Sequence, residues 1–469
     1  MSRFRTGLML FGFLGLAASA APTSYSLSDC IDQALKANRT RAISQASERV
    51  AEAQLNQALS ARWPEASLEV TGLRRDQDAN FLFPSSTFSL GDMGTILAQA
   101  LQIPASQLPG VTIPAQNVKL FDRDTLTSSL NVHVPLYTGG KVSALIKQGK
   151  AGLDAARAET HRTDLQIVQD VRRYYYGALL SRKLLAIGEE GVERLKVMTE
   201  LTERLYQNGS GRVKKTDYLR TQVILASLKS LVSTLQSNEE MARTALANTM
   251  GLPWHASVAP VDQDIPTPAY GEPLDELVAR AQNLNPQALQ IGYGLSAAEA
   301  GVDKARSGHL PVVVLFGTAD RYDNSYHAGL MTEQNRNSWT LGLRVQVPIF
   351  SGFRVQNEIR EAQARKDRLG LERQQLMEGL GVQVKDAFLQ IARSIQQTKS
   401  TGEALAAATE SRELHERAYR EELVDTKDVI EAQLTELFIR SQHQKARYDT
   451  QLHQSQLDNL IGQNLAANR

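Results

Sequence analysis

Cysteine is nearly missing from this chain: Cys30 stands alone among 469 residues. No internal disulfide can form, so stability must come from packing, strand pairing or association of copies. An excess of one charge is missing too. Lys and Arg number 52 against 51 Asp and Glu, and the balance is −1 once Arg3 and Arg5 leave with the N-terminal leader described below. Nucleic-acid binding draws on a Lys/Arg surplus to neutralise phosphates, so that class is set aside. Aromatic residues make up only 6% of the chain although 42% is hydrophobic. So many small apolar side chains suit close-packed helices better than one large globule. Beyond the leader, no segment reaches the roughly 18 consecutive apolar residues of a transmembrane helix. A chain of this kind enters a bilayer only as a closed β-barrel.

Proline is absent from residues 136–252 and 349–469, all fifteen falling elsewhere. A proline costs about 3 kcal/mol inside a helix, so each tract can be helical nearly throughout. Val142, Leu145, Ile146, Gly149, Leu153 and Ala156 recur at three-and-four spacing, as do Val355, Ile359, Ala362, Leu369 and Leu376. Such stripes, bordered by Lys, Arg, Glu and Gln, predict long coiled-coil helices. A helix from about 352 to 419 would be about 100 Å long at 1.5 Å per residue, more than a soluble globular core requires.

Residues 1–20 have the order of a secretory signal peptide: Arg3 and Arg5, the apolar run from Leu8 to Leu16, then Ala18-Ser19-Ala20. No cysteine lies at that boundary, so no lipid anchor is expected there.

The remainder is duplicated. Leu27, Asn38 and Pro64 match Leu274, Asn285 and Pro311 at an offset of 247. The run Val134-Pro135-Leu136-Tyr137-Thr138-Gly139-Gly140-Lys141-Val142 matches Val347-Pro348-Ile349-Phe350-Ser351-Gly352-Phe353-Arg354-Val355 at 213, an offset kept by Glu203, Arg204 and Tyr206 onto Glu416, Arg417 and Tyr419. Asp217, Gln222 and Gly251 match Asp428, Gln433 and Gly462 at 211. One match can be chance; three consistent blocks are a tandem repeat. The first copy carries 34 extra residues between Pro64 and Pro135.

Ahead of each repeated turn the period changes to two. Leu126, Leu130, Val132 and Val134 alternate with Thr127, Ser129, Asn131 and His133; Trp339, Leu341, Leu343 and Val345 alternate with Thr340, Gly342, Arg344 and Gln346. These predict strands with one greasy and one wet face, with hairpin partners near 66–73 and 311–321. Length and alternation fit outer-membrane barrel strands, and they also fit amphipathic hairpins packed on soluble helices. Four strands cannot close a barrel, since the smallest have about eight, so the barrel reading requires an oligomer.

The repeated Val-Pro-Leu-Tyr-Thr-Gly-Gly-Lys and Val-Pro-Ile-Phe-Ser-Gly-Phe-Arg, the strand-to-helix turns they form and the duplication together resemble the TolC-type outer-membrane efflux proteins, over essentially the whole mature chain. The resemblance implies an α+β membrane protein: a tandem-duplicated, long α-helical coiled-coil barrel, plus four β-strands per protomer contributing to a trimeric twelve-stranded transmembrane β-barrel. The expected organisation is a signal peptide over 1–20 and a first repeat over 21–253, with strands at about 64–75 and 124–137, helices at about 139–206 and 213–250, and an insertion at 81–120. A linker over 254–273 precedes a second repeat over 274–469, with strands at about 311–322 and 338–350 and helices at about 352–420 and 427–461. The turns rest on Pro135, Gly139, Gly140, Pro348 and Gly352. Such proteins are homotrimeric exit ducts in the outer membrane, with a helical tunnel in the periplasm, for small molecules or proteins. They work with a periplasmic adaptor protein and an inner-membrane transporter, in contact with outer-membrane lipid and with no cofactor, resident metal or nucleic acid.

The resemblance places the periplasmic tips at 208–217 and 421–428. Gly209, Ser210, Gly211, Val213, Leu423, Val424 and Thr426 are the expected adaptor contacts. Asp217, Asp428 and Glu431 match carboxylates that line or close the entrance, where three copies of an acid around an axis attract cations. The alternatives are that Asp217 caps its helix and that Asp428 and Glu431 sit on a solvated face. Glu422 stands where the family commonly has glycine, and Val424 where the best-known member has a gate-locking arginine, so the same lock is not implied. The resemblance also implies that the insertion, with Phe81, Phe83, Phe88 and four prolines, lies on the extracellular rim, either narrowing the outer mouth, covering a neighbour or lying as a passive loop.

Enzyme motifs fail on their residues. Gly139-Gly140-Lys141 has Pro135 at the first glycine of a phosphate loop and Val142 at its Ser/Thr position. His415-Glu416 lacks the second histidine of a zinc helix, and Gly209-Ser210-Gly211 lacks nucleophile-elbow spacing. No enzymatic activity is expected. A secreted, soluble coiled-coil scaffold without a pore is the alternative function.

Overall fold

The structure, a computed structural model, describes residues 23–88, 91–108, 110–209, 213–267, 271–324, 335–421 and 423–463. The signal-peptide reading of 1–20 therefore lies outside the described residues. The first repeat runs β1 (Thr23–Tyr25), α1 (Leu27–Ala37), α2 (Arg39–Ser60), β2 (Glu65–Arg74), then an insertion of β3 (Ala79–Phe83), β4 (Ser86–Phe88), α3 (Gly91–Leu101), β5 (Val111–Ile113) and β6 (Gln116–Phe121). It continues with β7 (Asp124–Tyr137), α4 (Lys141–Gln207) and α5 (Lys215–Thr249). After β8 (Val258–Pro260) the second repeat follows: α6 (Leu274–Leu284), α7 (Pro286–Arg306), β9 (Val312–Asn324), β10 (Asn337–Gln346), α8 (Arg354–Arg420) and α9 (Thr426–Leu460). The long helices α4 and α8 have 67 residues each, and α5 and α9 have 35 each. None of the described helices is long and apolar enough to cross a membrane.

The chain divides into two compact units, one built from residues up to 52, 151–296 and 367 onward, the other from 53–150 and 297–366. Two cores organise the first unit. Cys30, Ala34, Val171, Leu246 and Met250 belong to one; Leu277, Ala281, Val384, Leu457 and Ile461 belong to the other. Each pair stands at the offset of its block in the duplication. Burial, aided by the charge of Asp29, pushes the Cys30 thiol up to about 12, so this cysteine is a packing residue and not a thiolate nucleophile.

The helical segment that precedes the first sheet strand of each repeat is in two pieces. Asn38 and Asn285 have extended backbones and end α1 and α6. Asn38 Nδ2 donates to Thr249 O at 2.8 Å while its Oδ1 accepts from Thr40 N at 2.8 Å. Asn285 does the same with Leu460 O at 2.9 Å and Gln287 N at 2.9 Å. Each asparagine thus caps the next helix and ties it to the end of α5 or α9. There Gly251 (φ +74°) and Gly462 (φ +66°) admit no side chain, because a Cβ would lie 2.4 Å from Ala37 O or Leu284 O.

Residues 258–265, within the segment read as a linker, are packed on the first repeat. β8 pairs in parallel with β1, Ile265 is fully buried, and buried Tyr175 donates to Asp262 Oδ2 at 2.8 Å. The insertion is folded too: β3 pairs with β6 and β4 with β5, with α3 between them.

Candidate functional site

In the second unit, β10, β9, β7 and β2 form one antiparallel sheet in that order. Its register sorts residues by polarity. One row across the strands is Leu68, Leu130, Ala319 and Trp339; the next is Glu69, Ser129, Asp320 and Ser338. Ala66, Val132, Gly317 and Leu341 repeat the apolar row, and Ser67, Asn131, Thr318 and Thr340 the polar one. The period of two has made one face apolar and one wet. The apolar face is bare, with Leu68 69% and Trp339 78% exposed. Among the described residues, β2 and β10 have no further strand beside them and leave the two edges of the sheet open. Within one soluble chain, that combination is an aggregation hazard.

Pro135 sits at an irregularity where the register of β7 on β9 shifts between Pro135 and Tyr137, as suits a residue without an N–H. The turn beyond uses Gly139 (φ +62°) and Gly140 (φ +85°). A Cβ on Gly139 would meet Leu310 Cβ at 2.8 Å and Ser307 O at 3.0 Å. In the second copy Pro348 follows the end of β10, and Gly352 (φ +60°) is followed by Phe353, which takes φ +64° in the place of Gly140.

The two helix reversals lie in the first unit. Asp217 is half-buried and accepts from Lys214 N at 2.9 Å; Asp428, also half-buried, accepts from Asp425 N at 3.3 Å. Both carboxylates therefore hold the first turn of their own helices, where the helix dipole favours negative charge. Glu431 is exposed and lines a depression of about 410 Å³ between α5 and α9, together with Arg220, Ile224, Lys427, Ile430, Leu434, Thr435 and Phe438. Gly209 turns at φ +71°. Val213 and Thr426 are buried, Val424 is half-buried and Leu423 is exposed; the Thr426 hydroxyl lies 3.1 Å from that of Tyr419. Ser210, Gly211 and Glu422 lie outside the described residues.

Each reversal is buckled by a glutamate that the duplication pairs. Tyr218 donates to Glu203 Oε1 at 3.0 Å and accepts from Gln222 at 2.6 Å, while its ring stacks on Tyr206 at 6.3 Å between centroids. In the second copy Gln433 donates to Glu416 Oε1 directly at 3.1 Å, and Arg412 donates to Glu416 Oε2 at 3.0 Å. Farther along, α4 and α9 share a charge ring. Arg194 bonds Glu190 and lies 3.0 Å from Glu436; Arg440 lies 2.6 Å from Glu190 and 3.9 Å from Glu436. The Glu436 side chain is buried, whereas Glu190, Arg194 and Arg440 are each partly exposed. Burial works to raise Glu190, but the bond and charge of Arg440 and the charge of Arg194 outweigh it and hold the carboxyl below its ordinary range. Sequence reading missed the ring, since Glu190 and Glu436 are ordinary charged positions on helical stripes. It did flag Glu203, Glu416, Gln222 and Gln433 through the repeat alone.

Known proteins resemble this chain. Outer membrane protein TolC of Escherichia coli (strain K12) is 21% identical over 348 residues, covering 72% of this chain and 69% of that protein. Alkaline protease secretion protein AprF of Pseudomonas aeruginosa is 21% identical over 297 residues, covering 61% of this chain and 57% of that protein. The crystal structure of outer membrane protein VceC from Vibrio cholerae superposes with a TM-score of 0.70 at 16% identity, over 93% of this chain and 96% of that one, a likeness of fold. The family model described as outer membrane efflux protein matches residues 30–252 and 277–463. These two blocks span most of the chain, and the chain belongs to the outer membrane efflux protein family: it is an efflux channel of the outer membrane, of the TolC type.

Proposed function

We propose that three copies of this chain close a twelve-stranded barrel and that their helices continue it as a periplasmic duct, the exit path of a tripartite efflux or type I secretion system. The observation that carries this reading is the sheet: two open edges on a four-stranded unit whose apolar face is bare. Joining β2 of one copy to β10 of the next satisfies the backbone groups that lipid would otherwise leave unpaired, and turns the apolar rows to the hydrocarbon. Twelve strands leave a lumen, whereas eight fill their interior with side chains.

The reversals are the ends offered to a periplasmic adaptor, with an inner-membrane transporter behind it, and the mature chain begins after residue 20. Asp217, Asp428 and Glu431 supply acids near the entrance in three copies, and Lys427 and Arg220 temper Glu431 in its depression. Cargo is small molecules or proteins. The chain catalyses no reaction of its own; turnover of nucleotide or peptide by the purified protein would contradict that part of the reading.

The test is light scattering and planar-bilayer conductance on protein extracted from outer membranes in detergent. A three-chain particle with cation-selective conductance, less selective in an Asp428→Asn, Glu431→Gln double variant, supports the proposal. A water-soluble single chain would instead establish the pore-free scaffold. Crosslinking from Gly211 identifies the adaptor.

A further inference from the structure

The insertion on the β2–β7 hairpin has an unusual composition and an inverted helix. Between Ala79 and Val118 the only charged residue is Asp92. In α3 the small residues Gly94 and Ala98 are buried, whereas Met93, Ile96, Leu97 and Leu101 are exposed. At 100° per residue these four fall on one flank, while Asp92, Thr95 and Gln99 fall on the other. Phe83 and Phe88, in β3 and β4 of the same insertion, are 50% and 58% exposed. A monomeric protein rarely exposes so many neighbouring large apolar side chains.

What covers this flank follows from its position. On the apolar sheet face the series Leu68, Val70, Gly72 ends at Arg74, which lies 3.6 Å from Asp124; beside it Arg321 and Arg336 lie 3.0 and 3.6 Å from Asp323. In the ring proposed above this charged belt sets the limit of the hydrocarbon, and the insertion begins beyond it, anchored by Arg75 N to Arg123 O at 2.9 Å and by Lys119 to Asp78 at 2.8 Å. A segment lying on an anionic membrane surface carries Lys and Arg on its polar flank, and α3 has neither. The insertion also continues directly from β2, an open edge of the sheet. A neighbouring copy is thus the apolar surface within reach.

We infer that the insertions of adjacent copies pack on one another through the Met93–Leu101 flank of α3, forming an apolar collar at the outer mouth. This rests on the ring of copies proposed above. The experiment places the photoreactive residue p-benzoylphenylalanine at Ile96, at Gln99 on the polar flank, or at Leu343 on β10, in the full chain in outer membranes. Irradiation of the Ile96 protein is expected to give a two-chain adduct about ten-fold above that from Gln99, since capture requires contact, with the crosslinked peptide drawn from residues 79–121 of a second copy. Capture of lipid alone, or of nothing, from Ile96 while Leu343 still joins two chains overturns the collar and leaves the ring standing. Failure of Leu343 as well removes the ring and the collar together.

Discussion

In the first repeat Cys30, Ala34, Val171, Leu246 and Met250 pack together; in the second, Leu277, Ala281, Val384, Leu457 and Ile461 hold the corresponding places. Asn38 and Asn285 make the same two hydrogen bonds, and Gly251 and Gly462 close on the same backbone carbonyl. Outside that shared frame the copies part. The first core adds β1, β8 and the Tyr175–Asp262 bond, and only the first hairpin carries an insertion. One reversal is buckled through Tyr218, the other directly by Gln433. Duplication has therefore kept the positions that close a helix on its neighbour and freed those that face something else. Core and closure positions are held by volume and by obligatory backbone pairing, whereas outward positions answer only to whatever each copy meets.

Five measurements can break or sharpen this comparison, all read as thermal or denaturant unfolding of the detergent-extracted protein. The largest effect is expected from Gly251→Ala and Gly462→Ala, where a positive φ and a 2.4 Å approach to a carbonyl combine; each should cost about 3 kcal/mol or more. Unequal losses would show that the two closures are not equivalent. Next comes the charge ring, which has no twin: Leu225 and Ala407 stand where the repeat would put Glu436 and Arg194. Glu436→Ala should cost about 2 kcal/mol by removing the buried carboxylate that Arg194 and Arg440 share, both arginines keeping Glu190, and an Arg194→Ala, Glu436→Ala double variant should lose less than the two singles added.

Asn38→Ala and Asn285→Ala should each cost about 1 to 2 kcal/mol, for one cap and one tertiary bond apiece. A null result at either site alone would break the equivalence. Phe353→Gly should stabilise the second turn by up to about 1 kcal/mol by relieving its left-handed backbone, and Gly140→Ala should cost a similar amount in the first. The smallest effect is pH dependence. Because the folded carboxyl of Glu190 lies below its ordinary value, its contribution is present above the unfolded pKa and is lost as pH falls through the folded one. Glu190→Gln should flatten that acid limb, whereas Glu403→Gln at the exposed counterpart should leave it unchanged.

Much of the fold was legible from order along the chain. Proline-free tracts marked α4 and α5, α8 and α9, because proline is excluded from helix interiors whatever surrounds them. Alternation marked β7 and β10, because a strand with one wet face writes its period into the sequence. The breaks at Asn38 and Asn285 were not legible, although the repeat aligned both residues. An asparagine that caps its own helix also ties it to another only where a carbonyl such as Thr249 O, 211 residues away, comes within bonding distance. The three-residue strands β1 and β8 are too short for any period. The insertion read as a loop because its prolines and small elements carry no sustained pattern.

Sequence alone determined the duplication, the helix and strand periods and the family. All of these are properties of spacing along one chain, unaffected by how distant segments meet. Only the tertiary structure decided that Asp217 and Asp428 hold their own helix starts, that Glu190, Arg194, Glu436 and Arg440 form one ring, and that β2 and β10 are the open edges. A charged residue's partner and a strand's neighbour are matters of a few ångströms between points hundreds of residues apart, and that distance exists only once the chain has folded.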